Sequence, residues 1–279
     1  MFEIKKIDIS SSTSKKDFYT SLKNTGFAVI QNHSISGEIL ERFYNSWAKF
    51  FNSKEKENFK FNPSKQDGFF PFRSENAKNN DIKDLKEFFH VYPKTDLPDF
   101  LKEDTIKVYK ELVLLGMELL RWLDESTPKN IKELLSEPLI DMMSKSERNL
   151  LRVLHYPPIE SKIEDGAIRA AAHEDINLIT LLVSGSQPGL EAQDIKGNWH
   201  KVPVDKGMIT VNVGDMLQMA SGGFYPSTSH RVVNPENSQN VSRYSLPMFM
   251  HPRNNALLKP GTTADDYLQE RLKEIRLKS

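Results

Sequence analysis

The chain has 279 residues and a formal net charge of zero, with 38 Lys plus Arg against 38 Asp plus Glu, so it carries no overall field to hold nucleic acid or an anionic membrane. It contains no cysteine, which excludes disulfides, thiolate metal sites and cysteine nucleophiles and leaves His, Asp and Glu as the only strong metal ligands. With 38% hydrophobic and 10% aromatic residues it can bury a sizeable core and reads as a soluble globular protein.

The start, MFEIKKIDIS, lacks the apolar core of a signal peptide, and the longest apolar stretch, LVLLGMELL, is too short to cross a bilayer, so a cytoplasmic location without a membrane partner is expected. DFYTSLKNTG, residues 17–26, predicts a helix ending at Gly26, followed by a strand over FAVIQNH. In GEILERFYNSWAKFFN, Ile39, Phe43, Trp47 and Phe50 recur at helical spacing, which predicts a second helix with a buried aromatic face. Residues 62–82 are rich in Asn, Ser, Lys, Gly and Pro without periodicity and read as a long loop. A main helix is expected over about 98–124, with Tyr109, Leu112, Val113, Gly116, Leu119, Leu120 and Leu123 forming one apolar stripe.

After residue 148 the pattern changes to short runs rich in Val, Ile, Leu and Thr, broken by turns such as EDG, DIKGN and VDKG. Many short strands between turns predict a sandwich or barrel, with an antiparallel jelly roll as the natural candidate. The expected organisation is a helical N-terminal region, 1–147, packed against a β core, 148–279, as one structural unit. TADDYLQERLKEIRLK then reads as an exposed amphipathic helix at the end.

The stretch AAHEDINLIT, residues 171–180, sets a histidine and an aspartate two apart in an apolar run. About one His-x-carboxylate pair is expected by chance at this composition, so placement decides. On a strand His173 and Asp175 would share a face, and His230 heads a second strand-like run in PSTSHRVVNP. Two imidazoles and a carboxylate form a facial triad that leaves three octahedral positions open, which suits ferrous iron and oxygen chemistry. The other readings are a solvent-facing pair or a satisfied polar pair in the core.

In SRYSLPMF, Arg243 and Ser245 also share a strand face. A buried guanidinium is costly without an anion, and its fork matches a carboxylate. Fe(II) beside such a pair describes a site for 2-oxoglutarate; an internal salt bridge is the alternative. Arg169 precedes the metal strand and would either meet an anionic substrate or pair with an acid. Phe70, Phe72 and Arg73 belong to the long loop that would line a pocket. Asn212, Gly214 and Asp215 in VNVGD are expected to build a turn. His155, His200 and His251 are expected to be satisfied or surface histidines.

These segments, with GFAVIQNHSI, DLKEFFHVYP, LRVLHYPP and PGLEAQDIKGNWHKVP, occur in an order that resembles the 2-oxoglutarate and Fe(II)-dependent dioxygenases of the isopenicillin N synthase-like group. The resemblance implies a double-stranded β-helix with a helical N-terminal region packed on it. It implies His173, Asp175 and His230 as iron ligands, Arg243 and Ser245 at the distal carboxylate of 2-oxoglutarate, and Tyr156 of HYPP as a further cosubstrate contact. The family pattern carries Asn where Leu154 stands. The implied reaction consumes O2 and 2-oxoglutarate, releases succinate and CO2, and oxidises a small molecule, by hydroxylation or else by desaturation or ring closure, with ascorbate as a candidate reductant. Two alternatives share the constellation: an oxidase that needs no 2-oxoglutarate, like isopenicillin N synthase or aminocyclopropane carboxylate oxidase, and a non-catalytic relative that only binds a metabolite.

Overall fold

Two β-sheets and a helical layer organise the computed structural model, which describes residues 2–75, 82–159, 163–184, 187–235 and 240–276. The chain opens with β1 (Lys6–Asp8), α1 (Ser14–Thr25), β2 (Phe27–Gln31), α2 (Gly37–Phe51), β3 (Gly68–Phe70), β4 (Glu87–Val91) and the long α3 (Asp99–Ser126). Two short helices, α4 (Lys129–Lys132) and α5 (Leu139–Met142), lead into β5 (Leu150–Tyr156), β6 (Ala170–His173), β7 (Ile179–Val183), β8 (Leu190–Gln193), β9 (Trp199–Lys201) and β10 (Ile209–Val213). The helix α6 (Asp215–Ala220), strands β11 (His230–Val232) and β12 (Arg243–Met250), the hairpin β13 (Leu257–Lys259) and β14 (Thr262–Thr263), and α7 (Ala264–Arg276) complete it.

The large sheet runs β1-β2-β10-β7-β12-β5-β4-β3 and the small one β6-β11-β8-β9. Strand alternation assigns each face. Ala28 and Ile30, Leu151 and Val153, Ile179, Leu181 and Val183, Val211 and Val213, and Leu246 and Met248 join Phe18, Phe43, Trp47, Leu112 and Leu119 of the helices in one core. The residues between them point the other way: Phe27 and Val29 meet Ala192 of the small sheet, and Phe88, Leu154 and Tyr156 meet Ala170 and Val232. By the same period of two, Thr180, Asn212, Arg243 and Ser245 face the space between the sheets. The jelly-roll core expected from the turn spacing is therefore present, and polar residues line its interior.

Helix α2 buries Ile39, Leu40, Phe43, Trp47, Phe50 and Phe51, and the Trp47 indole N–H donates to Thr105 Oγ1 of α3 at 3.0 Å. Helix α3 lies so close to β12 that a Cβ on Gly116 would fall 2.7 Å from the Met250 side chain. Gly26 ends α1 with φ +69°, its N–H bonded to Leu22 O, as the sequence led us to expect.

The N-terminal half is less purely helical than its composition suggests. It supplies β1 to β4, which extend both edges of the large sheet. The expected loop over 62–82 contains β3, paired to β4 through Phe69 opposite Phe89; its stretch 76–81 lies outside the described residues. Three residues are too few for alternation to register in sequence, so only the partner strand reveals β3. Among the described residues no helix is long and apolar enough to cross a membrane.

Candidate metal centre and anion pocket

His173 is the last residue of β6 and His230 the first of β11, and the two stand directly opposite each other in the antiparallel ladder. Their ring centroids are 4.4 Å apart. Each Nδ1 lies against a carbonyl oxygen two residues back, Ala171 O at 2.7 Å and Thr228 O at 3.2 Å. A carbonyl only accepts, so both Nδ1 atoms carry the proton and both Nε2 atoms keep their lone pairs. Those two atoms lie 3.9 Å and 3.8 Å from Asp175 Oδ1. Burial first, and then His230, push the pKa of His173 down to about 4, so this partly exposed imidazole is neutral at neutral pH.

Asp175 reaches the cluster differently from the sequence expectation. Strand β6 stops at His173, so Asp175 sits in the following loop rather than two along a strand face. Its position comes from tertiary contacts. The Asp215 N–H donates to its carbonyl at 2.7 Å, and Oδ2 accepts from Thr180 Oγ1 and from Asn212 Nδ2, the latter at 2.8 Å. With Oδ2 committed, Oδ1 is the oxygen turned to the histidines. Burial opposes ionisation, but His230, His173 and these two hydrogen bonds outweigh it and hold the carboxyl below its ordinary pKa.

The donor set fits a metal ion. The three ligand atoms lie within 4.8 Å of one another, and ligands in adjacent octahedral positions at about 2.1 Å from a metal are about 3 Å apart. A small side-chain closure brings them there. Two imidazoles and one carboxylate suit a divalent first-row ion, and with three protein ligands half an octahedron stays open.

Thr180 has no role assigned from sequence, and Asn212 is expected only in a turn. Asn212 does not serve a turn: it is the fourth residue of β10, its backbone paired with Phe27 and Thr180. The available signal was a polar residue, Thr180 and Asn212, inside each of two largely apolar runs, ITLLV and ITVNV. Gly214 lies behind the same loop, where an added Cβ would stand 2.2 Å from Asn177 O. Backbone cannot yield there as a flexible side chain would. Gly214→Ala is therefore expected to cost about 1–3 kcal/mol, the usual penalty of overpacking, and to loosen metal binding. Thermal unfolding and metal titration of the variant check both.

On the neighbouring strands, Arg243 lies opposite Tyr156 and Ser245 opposite Leu154. All three polar residues are about 2% exposed. The Arg243 Nε donates to Gln187 O at 3.1 Å, while Nη1 is buried without a partner. Its guanidinium carbon is 5.1 Å from the centroid of the Tyr156 ring. No acid pairs with it among the described residues, and burial lowers its pKa, opposed by Tyr156 and Tyr44. The internal salt bridge considered for Arg243 is thus not formed with any of the described residues. Of the other expected pocket residues, Phe70 stacks on Phe88 at 4.3 Å and so joins the interior cluster.

Arg73 does not join the triad: it is 39% exposed and pairs with Glu164 at 2.7 Å. Its φ is +59°, in the left-handed region. Phe72 is 46% exposed. Arg169 has no acid partner among the described residues and lies beside Arg243 and Tyr156. The remaining histidines are accounted for locally. His155 meets Glu87 at 2.7 Å and His200 meets Asp194 at 2.9 Å, while His251 is half-buried with no acid paired to it among the described residues, and burial lowers its pKa to about 4.

Comparison with known proteins gives the following. Residues 148–252 match the family model of the 2OG-Fe(II) oxygenase superfamily, and residues 4–110 match the N-terminal region model named for non-haem dioxygenase in morphine synthesis. Feruloyl CoA ortho-hydroxylase 2 of Arabidopsis thaliana is 28% identical, over 91% of this chain and 71% of that protein. Clavatol oxidase claD of Penicillium crustosum is 27% identical, over 86% of this chain and 80% of that protein. Among solved structures, a candidate oxygenase from Shewanella oneidensis is 47% identical with a TM-score of 0.89, covering 99% of each chain. A full-length Neurospora crassa protein crystallised with alpha-KG is 25% identical with a TM-score of 0.80, over 96% of this chain and 95% of that one.

Proposed function

The chain belongs to the 2OG-Fe(II) oxygenase superfamily, and from that premise we propose that His173, Asp175 and His230 hold Fe(II) while Arg243, Ser245 and Tyr156 receive 2-oxoglutarate. The enzyme is a 2-oxoglutarate-dependent Fe(II) dioxygenase. When bound, the iron with its cosubstrate supplies the oxidising power, converting 2-oxoglutarate and O2 to succinate and CO2 as a C–H bond is oxidised. The observation that carries the residue assignment is the convergence of two imidazole Nε2 atoms and one free carboxylate oxygen in a fold that also buries a guanidinium, Arg243, whose Nη1 has no partner among the described residues.

Each residue has a part that follows from its contacts. The two backbone carbonyls fix the imidazole tautomers, and Thr180 with Asn212 orient Asp175 so that it presents Oδ1. Arg243 offers its free Nη1 to the carboxylate far from the metal, and Ser245, two residues on along the same face, adds a hydroxyl. Phe88, Leu154 and Phe70 supply the apolar wall that keeps bulk water from this end of the interior.

The substrate is a small molecule, with Phe70 among the residues that would face it. A Neurospora crassa structure of the same fold is in complex with alpha-KG and thymine, both small molecules. We also propose that 1–147 and 148–279 act as one unit, because strands from both complete the large sheet.

The test is direct. Purified protein given Fe(II), ascorbate, O2 and 2-oxoglutarate is expected to release succinate slowly without substrate and faster with an oxidised one, and Asp175→Ala should do neither. Substrate oxidation without succinate would instead mark the 2-oxoglutarate-independent oxidase. Iron and ligand binding without O2 uptake for any candidate would mark a binding relative.

A further inference from the structure

Arg169, the residue before β6, is fully buried at 0% exposure. Its Nη2 donates to Val241 O at 2.7 Å, but Nε and Nη1 have no partner among the described residues. Its guanidinium carbon lies 6.0 Å from the centroid of the Tyr156 ring, the same ring that Arg243 approaches to 5.1 Å. Two cations thus flank one tyrosine inside the fold, and among the described residues neither has an acid. Burial, and after it the charge of Arg243, pushes the pKa of Arg169 down to about 10, so it still carries its charge at neutral pH.

Like charges confined in a low-dielectric interior repel strongly, and each unmet N–H keeps its desolvation cost. One group from outside relieves both: an anion that enters beside Tyr156. An anionic substrate approaching the metal would be expected on the side where His173 is partly exposed. Arg169 instead shares its tyrosine with Arg243.

We propose that Arg169 is a second cation for 2-oxoglutarate, binding the distal carboxylate together with Arg243 across Tyr156. The proposal rests on the assignment of Arg243 to that carboxylate. It makes the far end of the pocket a two-arginine site whose selectivity comes from charge as well as length.

The test measures 2-oxoglutarate and 2-oxopentanoate, which lacks the distal carboxylate, binding anaerobically to the Fe(II)-loaded protein. Arg169→Met should weaken 2-oxoglutarate by about 10- to 100-fold, the worth of a charge-assisted hydrogen bond. It should leave 2-oxopentanoate within about 3-fold, since the lost interaction needs the second carboxylate. Arg169→Lys should fall between, keeping the charge but losing the fork. If Arg169→Met does not fold, the same ratio is read from Arg169→Gln and Arg169→Lys.

Equal weakening of both ligands would show a purely structural role and overturn the proposal. So would an unchanged affinity for 2-oxoglutarate. Failure of the underlying assignment is visible separately, as wild-type protein that does not discriminate between the two ligands or an Arg243→Leu variant that binds both as before.

Discussion

Arg243→Leu is expected to weaken 2-oxoglutarate binding by hundreds- to thousands-fold. Arg243 is 2% exposed and, among the described residues, its Nε donates to Gln187 O while its Nη1 has no partner, so a ligand carboxylate placed there is an ion pair with little water on either side. Removing one partner of such a pair leaves the other charge buried alone, at a cost of about 3–5 kcal/mol. Calorimetry under anaerobic conditions reads the change. The iron content should stay at wild-type level, because Arg243 touches none of the three metal-binding side chains. Unaltered affinity for the cosubstrate would sink the assignment of this residue.

The second large effect concerns the triad. His230→Ala is expected to abolish stoichiometric iron uptake and to lower succinate production by about a thousand-fold or more, since two remaining ligands no longer define a facial site. Asn212→Ala should be milder, about 10- to 100-fold in metal affinity, the usual effect of removing a group that orients a ligand. The ranking is informative. An equally large loss from Asn212→Ala and His230→Ala would point to collapse of the loop around Asp175, which thermal unfolding of the two variants would reveal. Metal analysis and succinate release measured on the same preparations separate lost iron from lost turnover.

Much of the site was legible because its signals are local. Arg243 and Ser245 stand two apart on an actual strand, β12, so the same-face argument holds for them in the way it was made. For His173 and Asp175 the same argument reaches a correct meeting by a wrong route: the strand ends at His173, and the aspartate is carried in by Asp215, Thr180 and Asn212. Arg73 illustrates the opposite limit. Its loop does border the interior through Phe70 and Phe88, but Arg73 itself, with φ in the left-handed region, is exposed and pairs with Glu164.

By itself the sequence determined the class of fold, the helical core faces and the residue types from which a metal and an anion site can be built. Those properties are written in periodicity and composition, which depend only on near neighbours along the chain. The tertiary structure decided which atoms face one another: the His173–His230 pairing, the commitment of Asp175 Oδ2, the outward course of Arg73 and the gathering of Arg169 with Arg243 around Tyr156. The pairing of the histidines and the placing of Arg243 opposite Tyr156 depend on strand register between segments tens of residues apart, where a shift of one residue would send every side chain to the opposite face.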